Sequence, residues 1–168
     1  MSLKPFQLTA FAWISCWPCA GTAQDQGEVD HAWVIEAGAA GERSSRDRVA
    51  NFGATVAVET TPIEEWLELE FGVTALATSG HTELSSDLVF KKPFRLSPTA
   101  EFMIGFGPTV AHLRGPGGGT THGIEVALDF MFWRGKDRGW YLEPGWSKNA
   151  GGGERSFSLN GGLLFGWR

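Results

Sequence analysis

From Val49 to Arg168 the chain switches between apolar and polar residues at every second position, in pieces about ten residues long. A period of two belongs to a β-strand whose two faces meet different surroundings, and a helix cannot sustain it. Pieces of this length are what a tilted strand needs to cross a bilayer. No uninterrupted apolar run reaches the length of a transmembrane helix, so a membrane crossing by this chain would have to use strands.

The alternation predicts eight strands, near residues 31–41, 49–60, 66–78, 82–92, 99–112, 123–133, 139–147 and 155–167. Their connections differ in kind. Residues 61–65, 93–98 and 134–138 are compact turns with suitable Pro and Gly chemistry. Residues 42–48, 79–81, 114–122 and 148–154 are more hydrophilic or richer in glycine. Hairpins joined in sequence place these four connections on one rim and the three compact turns on the other. An even strand number leaves both termini at the compact-turn rim. The expected fold class is therefore all-β: an eight-stranded antiparallel up-and-down transmembrane β-barrel. Pro108 and Pro144 fall inside predicted strands, and a closed barrel has no edge to hold them. A bulge or an early end to regular pairing is expected at each.

The N-terminus reads differently. Lys4 supplies a thin positive region, residues 6–20 are mostly apolar, and Gly21-Thr22-Ala23 offers small residues for cleavage. This divides the chain into a signal peptide at 1–23 and a barrel domain at 24–168. Cys16 and Cys19 fall within the signal, so their CxxC spacing is read as part of a discarded peptide and not as redox chemistry. Without the signal, 13 basic and 19 acidic residues remain, a net charge of −6. An acidic, cysteine-free mature chain suits an exported protein and argues against nucleic acid as a partner.

Alternation alone does not say which face is outside. One face carries aliphatic and aromatic residues such as Phe52, Val56, Phe71, Leu88, Ile104, Val126, Leu159 and Leu163. The other carries Glu36, Glu59, Glu68, Glu70, Asp87, Lys91, Glu101, Glu125, Asp129 and Glu143. A soluble barrel would turn the apolar set inward around a ligand, whereas a membrane barrel turns it to lipid. Two features favour lipid. The polar face is rich in carboxylates and nearly devoid of lysine, whereas a solvated surface mixes both signs. In the predicted topology Trp33, Trp66, Phe90, Phe102, Phe132, Trp140, Phe165 and Trp167 fall near the compact-turn rim, with Phe52, Phe106, Trp146 and Phe157 nearer the other. Two aromatic bands around an aliphatic zone are a membrane-interface arrangement.

On these residues the chain resembles the small Gram-negative outer-membrane β-barrel proteins, the OmpA-like barrel superfamily in the broad sense. Its last strand, from Phe157-Ser158-Leu159-Asn160 to Phe165-Gly166-Trp167-Arg168, is similar to the C-terminal sorting strand of that group, except that members usually end on the aromatic itself. The resemblance implies outer-membrane lipid and the barrel-assembly machinery as partners, a monomeric state, periplasmic termini and a role in membrane integrity or surface contact.

The acidic inner face is the most chemically loaded feature. An eight-stranded bore is filled by its own side chains, and buried carboxylates need partners. Lys91 is one such partner, with Arg43, Arg48, Arg95, Arg138 and Arg155 as candidates to fold in from the rims. Two readings stay open: a hydrogen-bonded plug, or a narrow cation or proton path lined by Glu68, Glu70, Glu101, Glu125 and Asp129. His81, His112 and His122 lie near the external rim without metal-ligand spacing and are read as solvated loop residues. Ser79 and Ser85 near His81 form the one close Ser and His grouping, but lack any local hydrolase motif. Gly117-Gly118-Gly119 and Gly151-Gly152-Gly153 mark hairpin turns and not phosphate loops, since neither precedes Lys-Ser/Thr or a helix start. Gly105-x-Gly107 is expected to leave room for bulky neighbours inside the barrel. No catalytic residue, metal site or cofactor is assigned.

Overall fold

A computed structural model describes residues 31–167 apart from 46–48, 79, 116–117 and 152. The signal peptide at 1–23 with Cys16 and Cys19, and also Arg48, Ser79, Gly117, Gly152 and Arg168, lie outside the described residues. Eight strands follow one another: β1 (Trp33–Ser44), β2 (Ala50–Ile63), β3 (Leu67–Thr78), β4 (His81–Ser97), β5 (Ala100–Arg114), β6 (Thr120–Trp133), β7 (Arg138–Asn149) and β8 (Arg155–Trp167). Each pairs antiparallel with its sequence neighbours, and β8 returns to β1 to close the barrel. Closure leaves no unpaired sheet edge along the wall. At a rise of about 3.3 Å per residue and a tilt near 40°, even a twelve-residue strand climbs about 30 Å, enough for a membrane barrel's apolar band of about 25 Å.

Residues 67–75 and 124–132 are strand throughout, as the period of two requires. The boundaries shift by a few residues, and one shift is large. β4 does not stop before Pro93 but runs to Ser97, so that the turn shrinks to Pro98 and Thr99. The reason lies in the pairing. β3 reaches no farther along β4 than the Glu68–Lys91 pair, whereas β5 follows β4 past Pro93, which stands opposite Met103. Proline is tolerated there because β4 has a partner on one side only.

Pro108 and Pro144 each interrupt a ladder on one side. The β4–β5 pairing passes from Asp87–Thr109 to Phe90–Phe106, and the β6–β7 pairing from Ala127–Gly145 to Phe130–Leu142. On the other side Pro108 pairs with Ile124 and Pro144 with Leu159. The register is the same before and after each gap, so the chain loses local hydrogen bonds without inserting a bulge. A missing N–H removes a bond but adds no residue, which is why the register survives.

The faces sort as the alternation requires. Phe52, Val56, Phe71, Ile104, Leu159 and Leu163 are exposed on the outer wall, while Glu36, Glu59, Glu70, Lys91, Asp129 and Glu143 are buried inside. The interior also contains an apolar layer absent from the acidic reading of that face. Val34, Met103, Met131, Tyr141 and Leu164 pack together at the compact-turn end, against Trp133. His31 stacks on Trp133 with ring centroids 4.2 Å apart, and its Nε2 lies 2.5 Å from the Lys136 carbonyl. These groups close the end of the bore where β1 begins and β8 ends.

The aromatic bands need one correction. Phe106 stands directly opposite Phe90, with ring centroids 6.4 Å apart, so the two share a level and cannot mark opposite rims. Both lie near mid-strand because β4 continues past Pro93. The compact-turn end of this hairpin is marked instead by Phe94 stacked on Phe102, which meets Phe130 on β6. Phe132 stacks on Trp140 at 4.0 Å, and Trp33, Trp66, Phe165 and Trp167 are exposed at the same end.

Candidate functional site: a lysine inside an acidic cage

Lys91 points inward from β4 and stands opposite Glu68 on β3 and Gly105 on β5. A side chain at Gly105 would collide with it, since a Cβ there would lie 2.8 Å from the Lys91 Cγ and 2.6 Å from a Val89 methyl. Gly105 therefore leaves the space through which the lysine stem passes over β5. The ammonium lies 2.8 Å from Asp129 Oδ2 on β6, 3.3 Å from Glu59 Oε2 on β2 and 3.3 Å from Glu143 Oε2 on β7. It also pairs with Glu70 on β3. Lys91, Glu59 and Asp129 are at most 2% exposed.

Five carboxylates thus crowd one ammonium, because Glu36 joins the group. Oxygens of Glu36, Glu59, Glu70 and Asp129 all lie within 4.8 Å of one another. Glu143 is further held by Asn160, whose Nδ2 donates to Oε1 over 3.0 Å. Glu36 Oε1, Asp129 Oδ1 and the Tyr141 hydroxyl are buried without a hydrogen-bond partner among the described residues. Ion pairs taken out of water are held only when geometry and further hydrogen bonds offset desolvation, so this cage demands a fixed arrangement.

Above the cage a cavity of about 70 Å³ runs towards the glycine-rich loops, from Glu36 and Glu143 up to Glu83, Asn149 and Ser156. Asp87 on β4 and Glu125 on β6 also border it. The two remaining expected site residues, Glu68 and Glu101, are not among the Lys91 ion pairs. Glu68 lies beside Glu59, while Glu101 accepts from Trp133 Nε1 over 3.5 Å and faces Arg95 Nε at 3.9 Å. Among the candidate arginines within the described residues, Arg95 alone meets an interior acid. Arg43, Arg138 and Arg155 are exposed on the outer face because their strand parity points them away from the bore.

The histidines are not brought together. His112 Nδ1 lies 2.9 Å from Thr120 Oγ1 on the outer face, His122 is exposed, and His81 turns inward beside Gly115. Ser85 Oγ donates to the Thr74 carbonyl at 3.5 Å. The sequence reading overlooked Tyr141, Trp133, His31 and the apolar layer. Part of that signal was present: Val34 stands two residues before Glu36 and Met131 two after Asp129, so both share the acids' inward parity.

With the geometry in hand, comparison with solved structures gives the fold a setting. The chain is similar to the crystal structure of Neisserial surface protein A, with 14% identity, a TM-score of 0.67, and coverage of 81% of this chain and 97% of that one. It is also similar to the attachment invasion locus protein of Yersinia pestis, with 12% identity, a TM-score of 0.60, and coverage of 82% and 99%. A third is the N-terminal β-barrel domain of Pseudomonas aeruginosa OprF, with 12% identity, a TM-score of 0.59, and coverage of 80% and 98%. No family model matches the chain, and no curated protein matches it in sequence. Identities this low speak for the fold, which is the eight-stranded barrel of small outer-membrane proteins.

Proposed function

We propose that the protein is an integral outer-membrane barrel that supports membrane integrity or surface contact, with a plugged bore and no enzymatic activity. The observation that carries the plug is the Lys91 cage seated directly above an apolar layer, two successive obstructions across the lumen. A conducting path needs continuous polar surface, and Val34, Met103, Met131 and Leu164 interrupt it. Outward-facing Phe, Leu and Val along the wall favour lipid over water as the surrounding medium.

In this reading the export signal is removed, both termini lie in the periplasm, and β8 presents the strand that the assembly machinery receives. The barrel works as a monomer in outer-membrane lipid. The surface-contact part draws on the likeness to an attachment invasion locus protein. Fractionation of the producing cell tests the location: recovery in the outer membrane is expected, and a soluble periplasmic product overturns it. Planar-bilayer recording tests the plug. Current at background is expected, and a reproducible cation-selective conductance would favour the narrow-pore reading instead.

A further inference from the structure

At the rim of the glycine-rich loops, charge is divided between the two sides of the wall. Arg43 on β1, Lys148 on β7 and Arg155 on β8 are exposed there, and parity turns all three away from the bore. The acids at this end go the other way. Glu42 and Glu83 line the interior cavity, and Glu154 accepts a hydrogen bond from Ser44 Oγ. Among the described residues no carboxylate forms an ion pair with Arg43, Lys148 or Arg155. Strand pairing brings the three cations together. Lys148 stands directly opposite Arg155, an arrangement that costs stability when like charges have no counterion. Arg43 stands opposite Phe157, two residues along β8 from Arg155, so the two arginines are diagonal neighbours about 7–8 Å apart. Backbone bonds fix this spacing: Ser45 N–H donates to the Arg155 carbonyl over 2.8 Å, and Arg155 N–H donates to Ser45 Oγ over 3.3 Å. Both arginines border one shallow groove with the rings of Trp146 and Phe157.

We propose that this groove binds the phosphate headgroup of a membrane lipid, with Arg43 and Arg155 forking onto its oxygens and Lys148 adding a third positive charge. Guanidinium groups match phosphate through paired N–H···O bonds, and a phosphomonoester brings about −1.5 to −2 charges to the three cations. Aromatic rings mark headgroup depth on a membrane barrel, and the two arginines lie beside the exposed Phe157 and Trp146. On the same face of β8 the wall continues through exposed Leu159 and Leu163, along which acyl chains would lie. That apolar continuation favours a lipid over a free phosphate, which has no use for it. The inference rests on the wall standing in lipid and goes beyond that reading by placing one headgroup site on it.

The test is native mass spectrometry of the refolded full chain in non-ionic detergent, titrated with dioleoyl phosphatidic acid or with dioleoyl phosphatidylcholine. Heat-modifiable migration first establishes the folded barrel. A chain that refolds neither in detergent nor in phospholipid vesicles overturns the membrane reading, and this proposal with it. The folded barrel should retain one phosphatidic acid saturably and phosphatidylcholine far more weakly. Arg43→Gln/Arg155→Gln should lose about tenfold in affinity for phosphatidic acid. Arg43→Lys, which keeps the charge without the fork, should lose less. Arg138→Gln removes an outward arginine at the opposite rim and should change nothing. Should the double variant fail to refold, Arg43→Gln alone carries the comparison. Equal retention of the two lipids, unchanged affinity in a folded Arg43→Gln variant, or an equal loss in Arg138→Gln overturns the proposal. Displacement of phosphatidic acid by equimolar inorganic phosphate also overturns it, because the groove would then be a site for a free anion.

Discussion

The Lys91 ammonium lies 2.8 Å from Asp129 Oδ2, and the two side chains are 1% and 0% exposed. They belong to β4 and β6, which are not neighbours, since β5 runs between them. The contact spans β5 across the inside of the wall at the place where Gly105 has no side chain. One lysine therefore ties β4 to β2, β6 and β7, with none of which β4 is paired.

Removing that lysine should be costly. Lys91→Met leaves a group of buried carboxylates without their cation, and breaking a buried pair in this way costs about 3–5 kcal/mol. Urea unfolding of the refolded barrel at pH 8 should show the loss, and it should shrink on acidification, as protons replace the missing ammonium. Lys91→Met combined with Asp129→Asn should cost less than the two single changes added together. Strict additivity would mean that the pair is not coupled.

Gly105→Leu should destabilise the barrel by about 1–3 kcal/mol through overpacking against Lys91 and Val89. Gly161→Ala provides the contrast. A Cβ at Gly161 meets its nearest neighbour at 3.4 Å, an ordinary contact, and the change in unfolding midpoint should be small.

Val56 is 51% exposed at the middle of β2. If lipid surrounds the wall, Val56→Arg costs about 2–4 kcal/mol for a charge near the bilayer midplane. In a soluble barrel the same change on an exposed face would be close to neutral. Unfolding titrations in phospholipid vesicles distinguish the two outcomes.

Trp133 closes the compact-turn end of the bore, stacked under His31. Trp133→Ala should cost about 3 kcal/mol or less, since the ring is only partly buried. It should leave bilayer current at background, because the Lys91 cage still fills the bore. A current that opens in Trp133→Ala would place the main barrier at the rim and not at the cage.

Inside and outside were legible from residue order. Glu36, Glu59, Glu70, Lys91, Asp129 and Glu143 are buried, and they share one strand parity because a pleated strand in a closed wall has only two sides. Depth was harder to read. Phe90 and Phe106 were expected at opposite rims, but β4 runs through Pro93 and pairs them. A proline stops a strand where both sides need hydrogen bonds, and whether β3 still lies alongside is not a local property. The prolines at 108 and 144 carry the same lesson, since each ladder broke on one side while the other held register.

Residue order also leaves unspecified which acids meet the lysine. Glu59, Glu70 and Asp129 stand 32, 21 and 38 positions from Lys91 along the chain, and nothing in their spacing separates them from Glu68, Glu101 or Glu125. The pattern of alternating residues decides that the strands form a wall with acids within and greasy side chains without, since burial acts on each strand separately. Closure of β8 onto β1, with its stagger and tilt, decides the rest. It brings residues from six strands to one level, forms the Lys91 cage, seats Met103, Met131 and Leu164 beneath it, and leaves the cavity above.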